Sequence, residues 1–265
     1  MNLGFFGAGK MATAIARGLI DKHIWCAKRM AAVDVAPQAR ADFTAATGVF
    51  CGDIPQALVE RSDIIVLAVK PQQAREAAAS VAGTLGDRLL ISIAAGLTIA
   101  RLADWFDHRR IVRVMPNTPA TVGQGMAVYA CAEAATGSDR ELTKEIFGAV
   151  GRVREAPEST LDAVTALSGS GPAYIFELIE ALTQAGAAVG LDRELALELT
   201  LQTVLGSVAM VQQKVGDPEA LRNAVTSPGG TTEAGLRVLR ENGFREMLKQ
   251  TVRAARDRSA ELASG

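Results

Sequence analysis

The sequence is poor in histidine, cysteine and aromatic residues. Of its 265 residues, two are histidines, three are cysteines and 5% are aromatic. Cys26, Cys51 and Cys131 are scattered without a CxxC pair, a pattern typical of reduced thiols rather than of a disulfide framework. His23 and His108 have no cysteine or paired carboxylate at ligand spacing, so we expect no metal site.

The chain also lacks an excess of charge of either sign. Lys and Arg total 28, Asp and Glu total 29, and the net charge is −1. A nucleic-acid binder would carry a basic stripe and aromatic stacking platforms, so we expect no nucleic-acid partner. No uninterrupted run approaches the roughly 18 apolar residues of a membrane span, and the first residues lack a basic segment. We therefore expect no transmembrane helix, no signal peptide, no membrane partner and a cytoplasmic location.

Short strand-like runs alternate with helical patterns in the first part of the chain. They lie at Leu3–Phe6, Ala31–Val35, Asp63–Val69, Leu89–Ile93, Ile111–Met115, Met126–Ala130 and Gly151–Arg154. The continuously apolar stretch Ile64–Val69 is typical of a strand covered on both faces. This alternation predicts an α/β fold of the Rossmann type, with a doubly wound parallel sheet.

After Pro157 the pattern becomes helical, and no strand is predicted from Ser159 onward. The helix predicted for Glu194–Val215 is apolar on more than one face, which indicates burial on several sides and favours a second subunit as its cover. A single all-α domain with a large internal core is the alternative. We place a boundary that divides residues 1–157, a dinucleotide-binding domain, from residues 158–265, an all-α dimerisation and substrate-binding domain.

The segment from Gly7 to Ala12 fits the pattern G-x-G-x-x-G/A and follows the first predicted strand. Gly7 would allow a tight turn, Gly9 would let a pyrophosphate approach the backbone, and Ala12 would allow close helix packing. A glycine-rich turn without a ligand is the alternative.

Asp34 ends the second predicted strand, about 20 residues after this loop. A carboxylate at this position can accept a hydrogen bond from the adenosine ribose, which favours NAD(H), whereas it would repel a 2′-phosphate. The nearest arginine after it is Arg40. Asp34 could instead be only a cap at the end of the strand.

The helical half contains no histidine, and its lysines are Lys214 and Lys249. Its hydroxyl groups gather in the segment Ser227–Thr232, just before the helix predicted for Glu233–Arg240. Backbone N–H groups and hydroxyls there would form a cradle for a carboxylate, although a simple helix cap explains the pattern equally well. A site with so few acid–base groups suits an imine, which accepts a hydride readily once it is protonated.

The chain resembles the pyrroline-5-carboxylate reductases along essentially its whole length. The motifs that carry the resemblance are, in order, Ala68-Val69-Lys70-Pro71, Ser92-Ile93-Ala94-Ala95-Gly96, Arg113–Pro119, Ala166–Tyr174 and Asn223–Thr232. The resemblance implies reduction of 1-pyrroline-5-carboxylate to L-proline with NADP(H) or NAD(H), the last step of proline synthesis. It also implies a homo-oligomer, either a dimer or a decamer built as a ring of five dimers.

The resemblance further assigns roles by position. For the cofactor it implies Gly7, Ala8, Gly9, Lys10 and Met11 at the pyrophosphate, Ala68, Val69, Lys70 and Pro71 along the ribose, and Ala94, Ala95, Gly96, Met115, Pro116 and Asn117 near the nicotinamide. For the substrate carboxylate it implies Asn223, Ser227, Gly230, Thr231 and Thr232, with the partner subunit closing the pocket. Thr232 takes the position closest to the ring nitrogen and is the candidate catalytic residue.

Two positions depart from the family pattern. Lys10 stands where many members have Asn or Gln, and Asp34 stands where members that prefer NADPH usually carry Ser, Asn or Thr. We therefore expect both cofactors to work and predict no preference.

Two other classes of protein fit the sequence less well. A 3-hydroxyacid dehydrogenase would need a catalytic lysine early in the helical domain, and none lies between Arg152 and Lys214. A regulatory nucleotide binder would have no need of the Ser227–Thr232 loop.

Overall fold

A computed structural model describes residues 1–264 of the chain. The strands are β1 Leu3–Phe6, β2 Met30–Val33, β3 Phe50–Gly52, β4 Ile64–Leu67, β5 Leu89–Ser92, β6 Ile111–Met115, β7 Gly125–Cys131 and β8 Gly151–Glu155. The helices are α1 Lys10–Asp21, α2 Pro37–Thr47, α3 Pro55–Arg61, α4 Pro71–Val81, α5 Ile99–Phe106, α6 Gly137–Gly148, α7 Leu161–Val164, α8 Gly171–Ala188, α9 Arg193–Gln212, α10 Pro218–Ala224, α11 Thr231–Glu241 and α12 Phe244–Ser264.

The strands form one sheet in the order β3-β2-β1-β4-β5-β6-β7-β8. Neighbouring strands from β3 to β6 run parallel. β7 runs antiparallel to β6 because only a short 3₁₀ turn, Thr118–Val122, joins them, whereas a parallel pair needs a longer crossover. α6 provides such a crossover, and β8 is parallel to β7. The predicted Rossmann-type fold class is confirmed, with one antiparallel pair that the sequence pattern did not reveal.

The sheet has an apolar core on each face. Ile64 and Val66 of β4 belong to one core together with Ile15 of α1. The intervening Ile65 and Leu67 belong to the other core. Helices therefore cover both faces, which explains why the β4 segment is continuously apolar.

In the described chain no strand follows β8, and the rest is helical. The chain forms two compact units, one of Met1–Ser170 with the end of α12 from Ala254, the other of Gly171–Arg253. Within the first unit, buried Arg113 lies 3.1 Å from the Glu158 carboxylate, and Ser259 of α12 donates to Asp162 over 2.7 Å. These contacts hold the segment after residue 157 to the sheet. The first unit therefore continues to Ser170, and the boundary placed after residue 157 stays a prediction.

The expectation that no helix could span a membrane does not hold for α9. By length and composition it could, because its most apolar 18 residues have a mean hydropathy of 1.3 and only 11% of them are buried. Glu198 and Thr200 interrupt its apolar residues, so the sequence shows no continuous apolar run of membrane-spanning length there. Such an exposed apolar helix needs a cover, either lipid or a second protein chain.

Candidate functional site

The glycine-rich segment forms a tight turn between β1 and α1. Gly7 has a φ of +103°, and a Cβ there would lie 2.8 Å from the carbonyl carbon and oxygen of Ala68. A larger residue would be strained both by its backbone conformation and by this contact. Gly9 has open space beside it, since nothing lies within 4 Å of the position a Cβ would take. The turn therefore has no room for a side chain at Gly7, whereas the space beside Gly9 is empty.

The first turn of α1 is free to bind an anion. Its first backbone bond runs from the Thr13 N–H to the Gly9 carbonyl over 3.0 Å, and no side chain caps the helix. The N–H groups of Lys10, Met11 and Ala12 consequently have no acceptor within the helix. A helix start of this kind favours a phosphate.

Asp34 follows β2 and faces the same turn. One carboxylate oxygen accepts the Ala8 N–H over 2.9 Å, and the other accepts the Ala36 N–H over 2.9 Å. The side chain thus caps the chain after β2, as one of the two interpretations of this residue held. Each carboxylate oxygen retains a lone pair, so the same group can accept ribose hydroxyls as well.

The remaining cofactor candidates follow neighbouring parallel strands. Ala68–Pro71 follows β4 and leads into α4, Ala94–Gly96 follows β5, and Met115–Asn117 lies at the end of β6. The carboxyl ends of parallel strands share one edge of a sheet, so these segments lie along the edge that carries Gly7 and Asp34. This edge is where open α/β sheets bind their ligands.

Asn117 has a structural task at this edge. Its amide group donates to the Ser168 carbonyl over 3.2 Å and to the Ser168 hydroxyl over 3.3 Å, and its side-chain oxygen accepts the Met126 N–H over 2.8 Å. The side chain thereby fixes the segment after β6 against the start of β7 and the π-helical turn Thr165–Gly169.

In the second unit, Ser227–Gly230 forms a turn that leads into α11. The Gly230 N–H donates to the Ser227 carbonyl over 3.0 Å, and Gly229 has a φ of +71°. No side chain caps α11, although a hydroxyl cap was one of the two interpretations of this segment. The first bond of the helix runs from the Ala234 N–H to the Gly230 carbonyl, which leaves the N–H groups of the preceding three residues without helical acceptors.

The side chains around this turn are exposed or half-buried. Asn223, Ser227 and Thr231 are exposed, and Thr232 is half-buried. The Glu233 carboxylate accepts the Gly229 N–H over 2.8 Å, and this bond holds the turn in place. The structure thus places Ser227, Gly230, Thr231 and Thr232 on one turn and helix start, and Asn223 in the last turn of α10.

Two residues at this edge of the sheet were not predicted from the sequence. A pocket of about 310 Å³ opens beside Gly7 and Asp34, and its walls also include Asp53 and Glu76. Gln73 and Glu76 are three residues apart and therefore lie on the same face of α4. The sequence does not show that this face lines the pocket, because that depends on how α4 packs in the fold. Among the described residues, no group of three His, Cys, Asp or Glu side chains could hold a metal ion.

Comparisons with known proteins match both halves of the chain. A family model described as pyrroline-5-carboxylate reductase dimerisation matches residues 158–262. A second, described as NADP oxidoreductase coenzyme F420-dependent, matches residues 2–96. The dimerisation model includes α9, which favours a second copy of the chain over lipid as the cover of that helix.

Full-length relatives are also found. A pyrroline-5-carboxylate reductase of Arabidopsis thaliana is 43% identical over 98% of this chain and 95% of its own length. The crystal structure of a Plasmodium falciparum pyrroline carboxylate reductase with NADP bound has a TM-score of 0.91, with 35% identity over 99% of this chain and 98% of its own. A pyrroline-5-carboxylate reductase structure from Coxiella burnetii has a TM-score of 0.90, with 36% identity and the same coverage.

Proposed function

This chain belongs to the pyrroline-5-carboxylate reductase family, and on that premise we propose which of its residues carry the reaction. The enzyme is an NAD(P)H-dependent oxidoreductase that reduces 1-pyrroline-5-carboxylate to L-proline, the last step of proline biosynthesis. The carbon–nitrogen double bond of the cyclic imine gains a hydride at carbon and a proton at nitrogen.

The cofactor edge of the sheet suits a nicotinamide dinucleotide. We assign the pyrophosphate to Gly7–Met11, where open space at Gly9 adjoins the unpaired N–H groups of α1. Asp34 would hold the adenosine ribose. Ala68–Pro71 would lie along the cofactor ribose. The bound cofactor supplies the hydride.

The nicotinamide end of the site is assigned to two segments. Ala94, Ala95 and Gly96 follow β5, and Met115, Pro116 and Asn117 end β6. Since the Asn117 side chain already bonds to Ser168 and Met126, we assign this residue a positioning role and expect its segment to meet the nicotinamide through its other atoms.

The substrate carboxylate is assigned to the loop of the second unit. The observation that carries this proposal is the uncapped start of α11, which offers backbone N–H groups and the positive end of the helix dipole to an anion. Ser227, Gly230, Thr231 and Thr232 lie at that start, and Asn223 lies in the last turn of the preceding helix, α10. Thr232 is the proposed catalytic residue, placed to orient the imine nitrogen while the imine is protonated.

We propose that the second unit acts chiefly by binding and orienting the substrate. In the described loop no side chain other than Glu233 could act as a strong acid or base, and the Glu233 carboxylate bonds to the Gly229 N–H. Fixing the carboxylate and the ring orientation lowers the entropic part of the barrier.

The Thr232→Ala variant tests this assignment. Loss of the hydroxyl should lower kcat/KM for 1-pyrroline-5-carboxylate by about 10- to 100-fold, since one positioned hydrogen bond is worth roughly 1.5–3 kcal/mol when a charged group takes part. Thr232→Ser should retain most of the activity. Thr44→Ala, an exposed threonine on α2, is the matched control. Wild-type kinetics in Thr232→Ala would remove this residue from the mechanism.

We also propose that the chain acts as a homo-oligomer in the cytoplasm. The family has a dimerisation domain, which this chain carries at 158–262. On α8 and α9 the side chains of Phe176 and Leu205 are 63% and 64% exposed in the single chain. A second copy of residues 158–265 would cover them, either in a simple dimer or in a decamer of five dimers.

A further inference from the structure

The adenosine end of the proposed cofactor site is walled by acidic groups. The pocket of about 310 Å³ lies where β1 and β2 end, with α4 as its other wall. Three carboxylates line it, those of Asp34, Asp53 and Glu76. No Lys, Arg or His lines this pocket in the part of the chain that the structure describes. Such a pocket has a negative potential.

Asp34 is held in place before any ligand arrives. Its two oxygens accept the N–H groups of Ala8 and Ala36, each over 2.9 Å. These bonds fix the direction of the carboxylate at the glycine-rich turn. The lone pairs that remain can accept two neighbouring hydroxyl donors, as the 2′- and 3′-hydroxyls of a ribose provide.

Arg40, the nearest cation along the chain, is turned to other partners. Its guanidinium donates to the carbonyls of Asp34 and Val35 over 2.9 and 3.1 Å, and lies 3.8 Å from the Asp53 carboxylate. It therefore braces the turn after β2 and is not a wall of the pocket. Lys10 is exposed at the start of α1 and does not line the pocket either.

The charge of Asp34 also affects the thiol of Cys51 on β3. Its pKa is raised to about 11, first by burial and then by the charge of Asp34, against a smaller opposite effect of Arg40.

We infer that this pocket selects NADH over NADPH, with Asp34 as the specificity-determining residue and Glu76 as a supporting charge. The inference rests on the cofactor site proposed above. A 2′-phosphate brings about −1.5 to −2 charges at neutral pH and no donor for Asp34, so it loses a hydrogen bond and faces the carboxylates of Asp34 and Glu76. A 2′-hydroxyl donates to Asp34 instead.

Calorimetric titration of the full-length protein with NADH and NADPH tests the inference without turnover. Wild type should bind NADH at least about tenfold more tightly, a factor that corresponds to about 1.4 kcal/mol. Raising the salt concentration should tighten NADPH binding relative to NADH, because screening weakens the repulsion of the phosphate. NADPH affinity equal to or above that of NADH would overturn the inference.

Three variants separate the contributions. Asp34→Ser should reduce the NADH-to-NADPH affinity ratio about tenfold or more, through both weaker NADH and tighter NADPH binding. Glu76→Gln, which removes a supporting charge, should tighten NADPH alone by about two- to fivefold. Asp42→Ser removes an exposed charge from α2 outside the pocket and should leave the ratio unchanged.

The outcomes distinguish this inference from the proposal on which it rests. If neither cofactor binds, the cofactor site itself is wrong. If both bind and Asp34→Ser leaves the ratio as in wild type, the site stands but Asp34 does not set the preference. Should Asp34→Ser fail to fold, the same ratio measured in Glu76→Gln and across salt concentrations decides the matter.

Discussion

Gly7 and Gly9 stand two residues apart in the same loop but have different physical tasks. Gly7→Ala should destabilise the fold by about 1–3 kcal/mol, because its φ of +103° and its contact with the Ala68 carbonyl both exclude a Cβ. Gly9→Ala meets nothing within 4 Å and has an ordinary φ of −77°, so it should fold like wild type. Urea unfolding measures the first effect.

Cofactor titration completes this comparison. Gly9→Ala should weaken cofactor binding in a stable protein, since its methyl group occupies space assigned to the pyrophosphate. Equal stability of the two variants, or full cofactor affinity in Gly9→Ala, would contradict the roles given to these glycines.

We expect His108 to make stability depend on pH. It is 8% exposed, and burial lowers its pKa from 6.5 despite hydrogen bonds from its ring nitrogen to the carbonyls of Arg88 and Arg110. As pH falls below 6.5 the unfolded chain takes up this proton before the folded chain does, so the free energy of unfolding declines until the folded pKa is passed.

The measurement is urea unfolding at pH 7.5 and 5.5. His108→Gln keeps an N–H donor and cannot titrate, so it should lose less stability between these pH values than wild type. His23→Gln, at the exposed histidine, serves as the control. An identical loss in wild type and His108→Gln would show that His108 does not contribute to the pH dependence.

Individual site residues were predictable to different degrees. Gly7, Gly9 and Asp34 occupy a known pattern, so the sequence identified them as candidates. The bonds of Arg40 to two carbonyls and of Asn117 to Ser168 depend on side-chain directions that sequence spacing does not specify.

At the scale of elements, α9 is an apolar helix that the described chain leaves mostly exposed. Apolar side chains lie on all its sides, and only Ala196 and Thr200 are buried within the described chain. Leu205→Glu should therefore weaken subunit association, because it introduces a charge on a face that we assign to the interface.

Sedimentation measures this effect as a shift to smaller species at equal concentration. Phe50→Glu is the matched control, since Phe50 is also 64% exposed but lies on β3 in the other unit. The assignment would be wrong if Leu205→Glu sedimented like wild type, or if Phe50→Glu dissociated equally.

Strands with a continuous apolar run were predicted well, and the shortest strand was not. The runs at β1, β4 and β5 reappear within one or two residues at each end. β3 was missed because it has three residues, one of them glycine, and too few positions to show alternation. The antiparallel direction of β7 follows from the length of the preceding connection rather than from any apolar pattern.

At the scale of the whole molecule, the order of motifs along the chain predicted the reaction, and the full-length relatives confirm it. The sequence could not show which residues the fold gathers around one ligand. Asp34, Asp53 and Glu76 lie far apart in sequence, and only the order of the strands and the direction of α4 make them walls of one pocket.

The most direct test of the account follows an isotope through one turnover. The enzyme is supplied with 1-pyrroline-5-carboxylate and a reduced nicotinamide dinucleotide that carries deuterium at both C4 positions, so that the transferred hydride is labelled whichever face reacts. We predict L-proline with one deuterium at the ring carbon that was double-bonded to nitrogen. Oxidation of the cofactor without deuterated proline, or no oxidation in protein shown to bind both ligands, would contradict the account.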